Sequence, residues 1–118
     1  MDMLKRKAAS VGFALKGIRI GYSEESNFQI QLVLAALAVL LGWHYAISLT
    51  EWLFVITACG MVLTAELFNT ALEELCDMLK STHDPHVAKI KDLSAGAVLV
   101  ASFIALVIGL IIFVPKIF

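Results

Sequence analysis

The apolar residues of this chain are concentrated in three long runs. Residues 30–47, 52–65 and 93–114 contain few polar side chains. The first and third runs are long enough to cross a hydrocarbon core of about 30 Å as helices. The middle run is shorter and ends at Glu66, so its helix crosses only if it continues through the polar residues that follow. The pattern predicts an all-α membrane protein with transmembrane helices over residues 28–48, 52–80 and 85–114.

The first 22 residues follow a different pattern. Apolar side chains recur there every three or four positions, and lysines occupy the other side of the same helical register. The apolar set is Leu4, Ala8, Val11, Leu15, Ile18 and Tyr22. This spacing is typical of an amphipathic helix that lies at a membrane surface. Packing of the same stripe against the helical bundle is an equally open interpretation. The 118 residues allow a single domain.

Composition and charge placement agree with a membrane protein. The chain is 60% hydrophobic and 16% charged, against about 45–50% and about 25% in average globular proteins. All lysines and arginines except Lys116 precede the first run or lie between the second and third runs. Because basic residues are enriched in cytoplasmic loops, we expect the N-terminus and residues 78–92 to be cytoplasmic.

A polar stripe begins where the middle apolar run ends. Glu66, Asn69, Glu73 and Asp77 are spaced by three, four and four residues, which places them on one face of a helix. Carboxylates at the edge of a membrane are costly, so they mark a functional site by default. Mg²⁺ is usually held by one or two carboxylates together with substrate phosphates. The stripe therefore predicts a site for Mg²⁺ and the phosphates it carries.

The depth of each residue suggests its role. Glu25 and Glu73 could supply the two Mg²⁺ carboxylates if their helices are adjacent. Glu66 lies two turns deeper, a position that suits a general base acting on a lipid hydroxyl. Lys91 lies in the loop facing the same side and could neutralise phosphate oxygens. A purely structural alternative remains open, in which Glu66 and Glu73 pair with Asn69 or a lysine and hold the bundle together.

Other functions are less well supported by the sequence. The phosphate loop G-x-x-x-x-G-K-[ST] and the G-x-G-x-x-G motif are both absent. The pair His83 and His86 resembles a metal-binding spacing but lacks further ligands. From another functional class, a small transporter or assembly subunit could use Glu66 and Glu73 to conduct protons or cations. A conduction path would favour polar groups across the whole membrane, and residues 52–63 offer only Thr57.

Two motifs resemble those of a known family. Residues 65–73 followed by Asp77 resemble the signature E-x-x-N-T-A-[IL]-E-x-x-x-D of the small bacterial diacylglycerol kinases. Residues 88–98 are similar to that family's second signature, A-K-x-x-K-D-x-x-A-G-A-V, and residues 25–28 resemble its acidic entry to the first membrane helix. The likeness extends over nearly the whole chain, in the same order and with similar gaps.

The resemblance implies an ATP- and Mg²⁺-dependent lipid kinase in the bacterial plasma membrane. It also implies a homotrimer whose active sites lie at the cytoplasmic interface and are shared between neighbouring subunits. By position, Glu66 would be the base that deprotonates the lipid hydroxyl, and Glu25 and Glu73 would hold Mg²⁺. The residues expected to line the nucleotide site are Asn69, Asp77, Lys91 and Asp92, together with the two metal ligands.

The family divides by lipid substrate. Some members phosphorylate diacylglycerol, and a second branch phosphorylates undecaprenol. Three stretches are more similar to the undecaprenol branch, namely residues 27–29, 95–98 and 108–116. Undecaprenol is therefore the favoured lipid, and diacylglycerol remains the alternative. The chain departs from the family at residues 83–85, which read His-Asp-Pro where the family often has His-His-Pro or Tyr-His-Pro. It also departs at Ser26, where the undecaprenol branch commonly has arginine.

Overall fold

The computed structural model describes residues 2–79 and 84–118. These residues form the helices α1 (Met3–Glu24), α2 (Ser26–His44), α3 (Leu49–Met78) and α4 (Pro85–Ile117). Helices α2, α3 and α4 are each long and apolar enough to cross a membrane. The predicted all-α fold class with three candidate membrane helices is confirmed.

Among the described residues, helix α1 packs on the rest of the chain through its C-terminal end. Its apolar side chains Leu4, Val11 and Leu15 remain exposed, whereas Gly21 is its buried residue. A Cβ added at Gly21 would lie 2.7 Å from Leu67 Cδ2, so glycine permits α1 to approach α3 closely. Within one chain, therefore, the amphipathic stripe of α1 is largely free to meet lipid.

A capping box fixes the start of α3. The Ser48 side chain accepts a hydrogen bond from the Glu51 backbone N–H at 3.1 Å, and the Glu51 carboxylate accepts one from the Ser48 N–H at 2.9 Å. These reciprocal bonds satisfy two backbone donors at the helix terminus. They begin α3 at Leu49, three residues before the start predicted from hydrophobicity alone. Ala46, with a φ of 48°, turns the preceding connection.

Helix α3 continues without interruption through the polar stripe. Its 30 residues extend over roughly 45 Å at about 1.5 Å per residue, which exceeds a hydrocarbon thickness of about 30 Å. The helix is therefore long enough to cross the membrane and project beyond it, as its sequence required.

Helix α4 starts as the sequence predicts. Asp84 accepts a hydrogen bond from the His86 N–H at 2.8 Å, and Pro85 occupies the first turn. The helix ends at Ile117, three residues later than predicted, and passes through Pro115 in its last turns. Proline there removes the one backbone hydrogen bond that its N–H would have donated. Helices α3 and α4 pack along each other, and a small apolar core lies near the C-terminal end of α4.

The other helix bounds shift by a few residues. Helix α1 ends at Glu24 rather than at residue 22, and α2 covers Ser26–His44 rather than residues 28–48. The four residues after α2 form the turn and the cap of α3, so they are not helical. Of the two histidines considered as metal ligands, His86 is exposed and His83 lies outside the described residues.

Candidate functional site

The polar stripe of α3 passes from a buried to an exposed environment. Glu66 is 1% exposed and Asn69 is 8% exposed. Glu73 is half-buried, and Asp77 is exposed. One helix face therefore connects a buried carboxylate with an exposed acidic group, over three helical turns.

Glu66 has one partnered and one unpartnered carboxylate oxygen. The Gln31 amide nitrogen, from α2, donates a hydrogen bond to Glu66 Oε2 at 3.2 Å. Glu66 Oε1 is buried and has no hydrogen-bond partner among the described residues. A buried acceptor without a partner is costly, so such groups are rare in folded proteins and call for an explanation. Among the described residues, Glu66 Oε1 therefore keeps an unused capacity to accept a hydrogen bond.

A short hydrogen-bond chain orients the next two residues. The Ser94 hydroxyl, from α4, donates to Asn69 Oδ1 at 2.7 Å in a buried position. Asn69 Nδ2 in turn donates to Glu73 Oε1 at 3.4 Å, a long hydrogen bond. Because Asn69 Oδ1 is occupied by Ser94, the amide NH₂ group faces Glu73. This chain holds the Glu73 carboxylate towards the stripe.

Glu25 lies at the junction of α1 and α2, close to the acids of α3. Burial raises the pKa of Glu25, and the Glu73 and Glu66 carboxylates raise this pKa further. Mutual repulsion of this kind shows that the negative charges of the two elements act on each other. Glu25 and Glu73 therefore lie near enough for their charges to interact, and their joint role as Mg²⁺ ligands stays a prediction.

The donors in this region fit Mg²⁺ rather than a metal that needs a closed protein cage. Within residues 2–79 and 84–118, no three His, Cys, Asp or Glu side chains converge on one point. Mg²⁺ needs only one or two carboxylates when phosphates and water supply its other oxygen ligands. Two carboxylates that repel each other match that requirement.

The predicted nucleotide residues of α4 lie on two flanks of the helix. Lys91 Nζ forms an ion pair with Asp77 Oδ1 at 3.1 Å, and both side chains are substantially exposed. Asp92 is exposed on another flank, where it lines a shallow groove with Ala65 and Gly96. Lys91 therefore joins the polar stripe directly within one chain, whereas Asp92 does not.

Sequence reasoning missed Gln31 and Ser94. Each is a polar residue inside or at the edge of an apolar run, and this was the only available signal. Their partners Glu66 and Asn69 belong to another helix, so no spacing along the chain could pair them. The alternative that Glu66 and Glu73 only hold the bundle together agrees in part with the structure, because Glu73 accepts a hydrogen bond from Asn69. It does not account for Glu66, whose Oε1 remains without a partner among the described residues.

Comparison with known proteins identifies the family. The family model for prokaryotic diacylglycerol kinase matches residues 12–113. The undecaprenol kinase of Bacillus subtilis (strain 168) is 35% identical over 113 residues, which cover 96% of this chain and 92% of that protein. The diacylglycerol kinase of Escherichia coli (strain K12) is 26% identical over 98 residues, which cover 83% of this chain and 80% of that protein.

The match includes every part of the site described above. Glu25, Gln31, the stripe of α3 and the first three turns of α4 all fall within residues 12–113. The resemblance drawn from the two sequence motifs is confirmed. The chain belongs to the prokaryotic diacylglycerol kinase family.

Proposed function

We propose that this protein is a lipid kinase that transfers the γ-phosphoryl group of Mg-ATP to the hydroxyl of a membrane lipid. The single observation that carries this proposal is the environment of Glu66. A carboxylate oxygen that is buried at membrane depth, and has no partner among the described residues, can accept the proton of a lipid alcohol. The same helix face then leads to exposed acids at which a hydrated nucleotide can bind.

In the proposed reaction, Glu66 Oε1 accepts the proton of the lipid hydroxyl. The hydroxyl oxygen forms a bond to the γ-phosphorus as the bond to the ADP oxygen breaks, and ADP leaves with that electron pair. Phosphoryl transfer depends mainly on positioning and on charge stabilisation. A single base with orienting groups is therefore a sufficient protein contribution.

Glu25 and Glu73 are the residues that would hold Mg²⁺. When bound, the ion neutralises charge on the phosphate oxygens. Asn69 keeps the Glu73 carboxylate oriented. Asp77, Lys91 and Asp92 are proposed to line the nucleotide site, and Lys91 can exchange its exposed ion pair with Asp77 for a phosphate oxygen at little energetic cost.

Orientation and assembly are part of the proposal. The distribution of lysine and arginine supports a cytoplasmic position for the N-terminus and the acidic region, on the side where ATP is found. We also propose a homotrimer with shared active sites, as the family resemblance implies. Gly60, Gly96 and Gly109 support close packing between chains, because a Cβ added at any of them would meet nothing within 4 Å.

Undecaprenol is the proposed acceptor, and diacylglycerol is the second candidate. The Bacillus subtilis relative with 35% identity is named undecaprenol kinase, whereas the Escherichia coli relative with 26% identity is named diacylglycerol kinase. The proton- or cation-conducting alternative has weaker support. Beyond Glu66, the buried or half-buried face of α3 continues with Val55, Ala58 and Val62, which offer no polar path.

The first test compares the two acceptors. Purified protein in mixed micelles with Mg-ATP is expected to phosphorylate undecaprenol with a kcat/KM at least about tenfold above that for diacylglycerol, a difference of about 1.4 kcal/mol in transition-state binding. Lipid phosphate formation is measured with each alcohol separately. A preference for diacylglycerol would contradict the proposed acceptor but not the reaction. No transfer to either alcohol would contradict the kinase itself.

The second test concerns the hydrogen-bond chain to Glu73. Replacing Ser94 with alanine is expected to raise the KM for Mg-ATP about two- to tenfold, with a smaller effect on kcat. The buried Asn69 Oδ1 loses its donor, at a cost of about 1–3 kcal/mol, and the amide can rotate away from Glu73. Ser102→Ala is the matched control, since Ser102 lies two turns further along α4. A KM equal to that of wild type in Ser94→Ala would argue against an orienting role.

A further inference from the structure

We propose that Gln31 is a positioning residue for the phosphoryl transfer. Its hydrogen bond determines which oxygen of Glu66 receives the proton of the lipid hydroxyl. This inference rests on the proposed function and adds a residue from α2 to the reaction. Gln31 Nε2 donates to Glu66 Oε2 at 3.2 Å, from 35 residues away along the chain. The bond fixes Oε2 against α2 and leaves Oε1 as the free oxygen.

The surroundings of Gln31 make a purely structural role a poor explanation. Gln31 lines a groove of about 340 Å³ between α2, α3 and α4. The other side chains that α2 contributes to this groove are apolar, namely Leu34, Ala35 and Ala38. A primary amide in such a place is costly unless both of its ends are hydrogen-bonded.

Only one end of this amide is satisfied. Gln31 Oε1 is buried and, among the described residues, has no hydrogen-bond partner. An apolar side chain of similar size would remove that cost, so packing does not favour glutamine here. The amide does have one clear effect, which is the hydrogen bond to a carboxylate. A bond from a neutral donor to an ionised acceptor is stronger than one between neutral groups, and it restrains the rotation of Glu66.

Restraining the base has a direct kinetic consequence. A carboxylate held in one rotamer presents the same oxygen to every acceptor molecule, whereas a free carboxylate spends part of its time turned away. Small errors in the position of a reacting group lower the rate greatly. Gln31 touches neither substrate in this scheme, so its loss should lower kcat without weakening nucleotide binding.

The test uses the full-length protein in mixed micelles with Mg-ATP and the lipid alcohol that wild type phosphorylates. Gln31→Leu is expected to lower kcat about tenfold to hundredfold, with the KM for Mg-ATP within about twofold of wild type. Gln29→Leu is the control, because Gln29 donates to the Tyr22 carbonyl instead, and its kcat should stay close to that of wild type.

A double-mutant cycle separates positioning from packing. In Glu66→Asp the carboxylate is one methylene shorter and no longer reaches Gln31, so adding Gln31→Leu should lower the remaining rate less than about threefold. An equal fold loss in both backgrounds would overturn the inference, and so would an unchanged kcat in Gln31→Leu. If Gln31→Leu keeps the kcat of wild type while Glu66→Gln is inactive, the role of Gln31 is rejected and the proposed function stands. A wild-type protein that phosphorylates no lipid alcohol would reject the proposed function and this inference together.

Discussion

Replacing Glu66 with glutamine is expected to abolish lipid phosphorylation while leaving Mg-ATP affinity within about twofold of wild type. An amide of the same shape fills the same volume but cannot accept the hydroxyl proton. General-base catalysis contributes about 10²–10⁴-fold to a rate, so the remaining turnover should be at least a hundredfold below wild type. Turnover is measured as lipid phosphate formed, and nucleotide affinity by titration with Mg-ATP.

Glu74→Gln provides the matched control for this change. Glu74 lies two turns from Glu66 on α3 and is exposed, so the same substitution there should leave kcat close to that of wild type. The thermal stability of Glu66→Gln should equal or exceed that of wild type, because the buried charge is removed. An active Glu66→Gln enzyme would exclude Glu66 as the base. A loss of both turnover and Mg-ATP binding would instead indicate a binding role.

The sequence was sufficient to predict the helices and the face on which the stripe lies. Apolar runs, the Asp84–Pro85 start and the i, i+3, i+4 spacing are local features, and local features determine helix positions and helix faces. Hydrophobicity did not locate the start of α3, because Ser48 and Glu51 begin that helix with hydrogen bonds rather than with apolar side chains. Helix ends are therefore better predicted from capping residues than from the apolar run alone.

The contacts between helices could not be predicted from one sequence. Two hydrogen bonds, from Gln31 to Glu66 and from Ser94 to Asn69, join residues 35 and 25 positions apart in the sequence. No periodicity along the chain encodes such pairs. Residues that are adjacent in the sequence can also be separated in the fold. Lys91 points to the stripe, whereas its neighbour Asp92 lies on another flank of α4. Adjacent residues on a helix are separated by about 100°. The motif alone therefore could not show which of the two side chains joins the polar stripe within one chain.

Replacing Glu73 with glutamine is expected to weaken Mg-ATP binding at least about tenfold at neutral pH, a loss of about 1.4 kcal/mol or more. The substitution removes one of the two proposed Mg²⁺ carboxylates and leaves Glu25 as the other. Because Glu66 and its partner Gln31 are unchanged, kcat at saturating Mg-ATP should fall less than the affinity. Glu74→Gln again serves as control, since it removes an adjacent carboxylate from α3 without touching Asn69. Equal Mg-ATP affinity in wild type and Glu73→Gln would exclude Glu73 as a ligand.

The pH dependence of the same variant tests whether Glu25 and Glu73 act together. Burial raises the pKa of Glu25 above its usual value of 4.5, and the charges of Glu73 and Glu66 raise this pKa further. Protons therefore compete with Mg²⁺ for Glu25 at a higher pH than for an isolated glutamate. In Glu73→Gln the largest like-charge contribution is removed, so the pKa of Glu25 falls towards 4.5 while its burial remains. Mg-ATP affinity should then be weaker at neutral pH but should persist to lower pH than in wild type. If acidification weakens binding over the same pH range in both proteins, the two carboxylates do not share one cation.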